Sequence, residues 1–142
     1  MKNLILVIAA SALISLNVTA QTSKNVPKNV KTAFSQKFAK ATDVKWGKEG
    51  KTEWEAEFKM DGKAYSANYD LKGEWLETEY AITVNEIPAA VKTAIDKDYA
   101  GYKMKESEIS ETAKGKVYEF ELVKGKNKVE IAFDMNGKII KK

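Results

Sequence analysis

The residues with chemical potential in this chain are carboxylates. Glu53, Glu55 and Glu57 alternate along one stretch, Glu119 and Glu121 along another, and Glu130 follows nearby. Paired carboxylates can serve as general acid and base. They can hold a hard divalent cation such as calcium, or face a cationic partner surface. The chain has neither histidine nor cysteine. Loss of histidine removes the usual general base, proton shuttle and commonest metal ligand. Ser–His and Cys–His nucleophile systems are therefore impossible. A zinc site would have to be all carboxylate, which is uncommon. No calcium-loop spacing of the EF-hand kind occurs, so no metal site is assigned. Asp70 and Asp134 each stand three residues before a glycine. That place suits an aspartate capping its own turn better than one in catalysis. No catalytic residue and no cofactor are assigned, and the chain reads as a non-enzyme.

Local pattern places these glutamates on strands. Trp54, Ala56 and Phe58 alternate with Glu53, Glu55 and Glu57, and Tyr118, Phe120 and Leu122 alternate with Glu119 and Glu121. A period of two puts one set against a core and the other in water. Asp61-Gly62 is a hairpin signal. Tyr65, Ala67 and Tyr69 then return along the apolar face, as do Val129, Ile131 and Phe133 after Lys124-Gly125-Lys126-Asn127. The acidic residues form a stripe on the wet face, open to a cationic partner or a divalent cation. The alternative is a solvated face with cross-strand pairs such as Lys128 with a glutamate, each adding roughly 0.2–1 kcal/mol.

The chain repeats itself. Val26 to Phe34 returns as Ile87 to Ile95 at an offset of 61 residues. Trp54 to Phe58 returns as Tyr118 to Leu122 at an offset of 64, and Tyr69 to Gly73 as Phe133 to Gly137 at the same offset. Each copy opens on a helix. Val30, Ala33, Phe34 and Phe38 follow helical spacing, as do Val91, Ala94, Ile95 and Tyr99. Pro27 and Pro88 suit the first helical position. Such short helices cannot persist alone in water and need a sheet to lie on.

The expected architecture is α+β: two tandem repeats, each an N-terminal helix on a three- to four-stranded antiparallel sheet. Residues 21–81 form the first repeat and 82–142 the second, together making one compact domain. A unit of about 60 residues is marginal alone, so the two should share their stability. Trp75-Leu76 and Ile139-Ile140 break the alternation, since adjacent strand residues face opposite ways. One of each pair should face outward, and Trp75 is the aromatic candidate for a partner contact.

The first 20 residues read as a secretory signal peptide: Lys2, the apolar run Leu4 to Leu16, then Val18-Thr19-Ala20 before Gln21. The run is short of the ~18 residues that span a bilayer, so no stable membrane insertion is expected. Without cysteine, lipid attachment at the cleavage site is excluded. Cleavage removes one lysine and no acid, taking the net charge from +4 to +3. Every cation is a lysine. Arginine is the usual tool for reading phosphates and guanine, and its absence argues against nucleic acid. The expected location is periplasmic or secreted.

The Pro-started helix, the Tyr/Trp-Glu-x-Glu step and the aromatic-Asp-x-x-Gly turn together resemble the PepSY-like family of exported proteins. The carrying residues are Trp54 to Phe58 with Tyr69, Asp70 and Gly73, and Tyr118 to Leu122 with Phe133, Asp134 and Gly137. The resemblance implies the fold of the β-lactamase inhibitor proteins and a role without enzymatic activity. It also implies a protein or peptide partner in the envelope or outside the cell, peptidase-like in the PepSY case, which the chain would bind or inhibit. It supplies no site motif. The residues read as partner-binding are Glu53, Glu55, Glu57, Trp75, Glu119 and Glu121. The alternative function is binding of a small ligand or divalent cation in the envelope.

Overall fold

A computed structural model describes residues 25–141, so the expected signal peptide at 1–20 lies outside the described residues. Helix α1 (Lys28–Lys37) precedes four strands, β1 (Thr42–Glu49), β2 (Glu53–Met60), β3 (Lys63–Asp70) and β4 (Trp75–Ala81). Helix α2 (Ala89–Asp98) precedes four more, β5 (Lys103–Thr112), β6 (Gly115–Lys124), β7 (Asn127–Phe133) and β8 (Ile139–Lys141). All eight strands form one antiparallel meander in the order β1 to β8. The two halves join edge to edge through β4 and β5, with Tyr80 opposite Ile109 and Glu79 opposite Ser110.

Both helices lie on the same face of this sheet. Val30 and Phe34 of α1 enter a core with Trp46, Trp54, Ala56, Phe58, Ala67 and Tyr69. Val91 and Ile95 of α2 enter a second with Ile109, Phe120, Leu122, Ile131 and Phe133. Tyr69 and Phe133 are fully buried at equivalent places. Each such side chain contributes about 1.5–3 kcal/mol. A run of rings links the cores, Phe58 stacking on Tyr65 at 5.5 Å and Tyr65 meeting Tyr80 at 5.1 Å.

The prolines stand one residue earlier than expected. Pro27 and Pro88 are the N-caps, with extended backbone, and their carbonyls accept from Lys31 and Lys92 N–H at 3.1 and 3.0 Å. A cap residue with φ near −60° suits proline equally, since the cap's own N–H has no intrahelical role. Asp61 and Gly62 both take positive φ, the hairpin turn read from the sequence.

The doubled apolar pairs resolve into bulges. Tyr69 pairs with Trp75 and Asn68 with Glu77, so Leu76 is the extra residue. Phe133 pairs with Ile139 and Ala132 with Lys141, so Ile140 is the extra one. A bulge lets both strands keep their inward faces despite the inserted residue. Trp75 consequently shares the helix-bearing face with Tyr69.

Candidate functional site

Opposite the helices, the sheet presents a broad acidic face. Strand register defines it. Gly47, Glu55, Asn68, Glu77, Thr112 and Gly115 make one row across six strands, with two carboxyls and no cation. A neighbouring row runs Lys45, Glu57, Ser66, Glu79, Ser110 and Val117. Farther over, Glu108 faces Glu119, and Glu106 faces Glu121, which in turn faces Glu130. At the other end Glu49 faces Glu53, and Glu53 faces Asp70.

Five of the six predicted residues therefore share one face. Glu53, Glu55 and Glu57 occupy it from β2, and Glu119 and Glu121 from β6. Trp75 does not join them. Its indole Nε1 donates to Thr78 Oγ1 at 2.9 Å, and the Lys37 ammonium stands 3.7 Å from its ring centre. These contacts hold it against the α1 core. Single-strand alternation locates the two Glu runs, β3 and the start of β4, but not β5. Local alternation does not mark Glu77 and Glu79, because the inward residue between them is Thr78, nor Glu106 and Glu108, because Ser107 stands between them.

The face is acidic and partly desolvated. Glu79, Asn68 and Ser110 are buried upon it. Burial pushes the Glu55 carboxyl up to about 7, helped by the charges of Glu49, Glu57 and Glu77. Glu53 is raised by burial and by Glu49 and Asp70. Glu108 is raised by burial and by Glu106. Glu77 is raised by burial, although hydrogen bonds from Ser110 and Asn68 oppose the shift. Like charges crowded at low dielectric disfavour ionisation, and a bound cation relieves that penalty.

The β6–β7 end of the face differs from its middle. Lys128 bridges Glu121 at 2.7 Å and Glu130 at 3.1 Å, the lysine–glutamate pairing considered from the sequence. In the middle row Glu77 is met only by neutral donors, Asn68 Nδ2 at 3.2 Å and Ser110 Oγ at 3.1 Å. Asp70 and Asp134 are turn caps. Asp70 Oδ1 accepts from the N–H of Lys72 and Glu74, both at 2.8 Å. Asp134 Oδ1 accepts from Asn136 and Lys138 at 2.9 and 3.0 Å. Among the described residues, no group of three or more acidic side chains is arranged to hold a metal ion. Nor is any described helix long and apolar enough to cross a membrane.

Known proteins share this architecture. A DUF2874 family protein of Bacteroides uniformis superposes with a TM-score of 0.76 at 23% identity, over 81% of this chain and 86% of that one. A BLIP-like protein of Bacteroides fragilis gives 0.73 at 24% identity, over 81% and 83%. A structure described as "putative periplasmic proteins" of Bacteroides eggerthii gives 0.76 at 20% identity, over 82% and 86%. At these identities the likeness is one of fold. No curated protein matches the chain in sequence. A family profile does match, over residues 52–141, from the middle of the first half to the end of the sheet. The chain belongs to the family described as "Putative beta-lactamase-inhibitor-like, PepSY-like".

Proposed function

We propose that this chain is an exported, non-catalytic module that binds a protein or peptide, and that its acidic sheet face receives a cationic surface of that partner. The observation that carries this reading is the row through Glu55, Asn68 and Glu77, carboxyls in register across the sheet with no lysine among them. Carboxyls held above their ordinary range are stabilised when a cation arrives. Family membership supports a binding role, the β-lactamase-inhibitor likeness being one of sheet architecture rather than of target. Inhibition of a peptidase or another enzyme is the form such binding would take in the envelope. Recurring bulges, turn caps and helix starts support reading the two halves as tandem repeats of one unit. The sequence of residues 1–20 supports export.

The test is capture of partners by immobilised residues 21–142 from an envelope extract of the producing cells. The expected result is a saturable protein partner whose affinity falls on Glu55→Lys and Glu121→Lys and in high salt. An affinity indifferent to both substitutions would move the contact off this face. Capture of nothing in replicate, at low salt with calcium present, would overturn protein binding in favour of a small ligand or cation.

A further inference from the structure

Asn68 lies at the centre of the acidic face and is 3% exposed. Half of its amide is accounted for. Nδ2 donates to Glu77 Oε1 at 3.2 Å, and the other Glu77 oxygen accepts from Ser110 Oγ. An amide is planar, with oxygen and nitrogen on opposite sides of its carbon. Turning Nδ2 to β4 turns Oδ1 toward β2. That buried oxygen has no hydrogen-bond donor. A buried acceptor without a donor forfeits the hydration it had in the unfolded chain.

The β2 residue in register with Asn68 is Glu55, flanked on the same face by Glu53 and Glu57. All three are carboxyls. An ionised carboxylate can only accept, so it would set two acceptors against each other. A protonated carboxyl has one O–H to give. We propose that Glu55 is held as the neutral acid, donating to Asn68 Oδ1, and that the face admits a cationic group by giving that proton up to solvent. The second half rests on the reading of this face as a receptor for cations.

The surroundings of Glu55 agree from every strand. On β1 the residue opposite is Gly47, with Lys45 and Glu49 to either side. On β3 Asn68 is flanked by Ser66 and Asp70, and beyond it on β4 lies Glu77. Lys45 is the sole cation in this ring of neighbours, and it stands opposite Glu57 rather than Glu55. The shift of Glu55 to about 7 has burial as its first cause and its acidic neighbours as the next. An arriving ammonium would reverse those second causes and favour ionisation.

The experiment follows the Glu55 side-chain carboxyl by carbon NMR through a pH titration of residues 21–142. In the free protein its midpoint should lie well above the ordinary glutamate value of about 4.3. Asn68→Ala removes the acceptor and should lower the midpoint by about one unit, with Asn68→Leu, similar in shape and without an acceptor, as a second variant should the first fail to fold. A wild-type midpoint in the ordinary range, or one that neither variant moves, overturns the shared proton. A short oligolysine peptide is then the cationic probe. At about pH 6, where an ordinary glutamate is already ionised, calorimetry in two buffers of different ionisation enthalpy should show protons released on binding. Glu55→Gln keeps a donor for Asn68 and should release distinctly fewer, the remainder coming from the other raised carboxyls of the face, Glu53 and Glu77. Binding without proton release overturns the second half. Failure of the peptide to bind at all sinks the cation-receptor reading and the second half with it, while the midpoint still decides the first.

Discussion

Gly137 packs so tightly on Ala90 that a β-carbon there would stand 2.5 Å from the Ala90 carbonyl oxygen and 2.8 Å from its carbonyl carbon. The same relation recurs between Gly73 and Asn29, where the distance is 3.1 Å. In each half the turn after the third strand thus docks on the first turn of the helix. Both glycines also take positive φ, a conformation costing other residues roughly 1–2 kcal/mol. Gly137→Ala should therefore destabilise by about 2–4 kcal/mol and Gly73→Ala by about 1–3. Urea denaturation of the two variants checks the order. Equal losses would mean that α2 yields more readily than its contacts suggest.

The turn aspartates make a structural prediction that separates them from a catalytic role. Asp70 and Asp134 each accept two backbone N–H groups on one carboxylate oxygen. Replacement by alanine should cost about 1–3 kcal/mol, as expected for hydrogen bonds to a charged group. Asparagine should cost less, because its side-chain oxygen can still accept. Thermal melting reads the stability. Binding of the oligolysine peptide by the folded Asp134 variants should stay within about twofold of wild type, whereas loss of the Asp70 carboxylate, which faces Glu53 at the edge of the acidic face, should weaken it a few-fold at most. A much larger loss would put these residues in the site.

Two glutamates should give the stability curve slopes of opposite sign. Glu55 has its carboxyl raised to about 7, so the folded state binds its proton more tightly than the unfolded state does. Its contribution is full below about pH 4.5 and is lost as pH rises through 7. The loss should be about 1–2 kcal/mol once solvent screening is allowed for. Glu86 runs the other way. Lys63 at 2.7 Å, with Thr83 behind it, holds its carboxyl down to about 2. Its contribution is full above about pH 4.5 and is lost as pH falls toward 2. Glu55→Gln should flatten the first slope and leave the second, while Lys63→Met should weaken the second alone. Denaturant midpoints taken across the pH range test both. A wild-type protein equally stable from pH 5 to 7 would remove the basis for the Glu55 assignment.

The sequence announced most of this fold wherever one face of a strand met a core. Trp54-Ala56-Phe58, Phe120-Leu122 and Ile131-Phe133 alternate because they lie under a helix. Strand β5 has no such signature. Of its ten residues only Met104 and Ile109 are apolar, because Glu111 faces Thr78 at the seam between the cores and the other side belongs to the acidic face. Local alternation therefore does not mark it as a strand, although it is what joins the halves into one sheet. The candidate acidic face is half legible for the same reason. Glutamates that alternate with apolar residues stand out, whereas Glu77 and Glu79 flank Thr78 and Glu106 and Glu108 flank Ser107, inward residues that are themselves polar. The doubled apolar pair points Trp75 outward by simple alternation, and the bulge at Leu76 returns it to the helix side. Bulges are set by pairing with a distant strand, which local alternation does not encode.

Charge reversal should be graded across the face rather than uniform. Glu55 lies in the row without a lysine, so Glu55→Lys puts a cation where a partner's cation would sit. Glu121 shares Lys128 with Glu130, so its charge is partly offset. Glu121→Lys therefore changes a cluster that already carries a cation. Oligolysine affinity at low salt should fall about tenfold or more with Glu55→Lys and only a few-fold with Glu121→Lys, since tenfold corresponds to about 1.4 kcal/mol. Raising the salt to about 0.15 M should narrow the difference, because exposed charges are then screened beyond about 8 Å. Trp75→Phe serves as the control on the opposite face. It removes the bond to Thr78 and thins the contact with Lys37, so it should cost stability while leaving affinity unchanged. Calorimetry on the three variants decides the matter. If Trp75→Phe weakened binding as much as Glu55→Lys did, the recognition surface would lie on the helix side and the acidic face would be a solvated one.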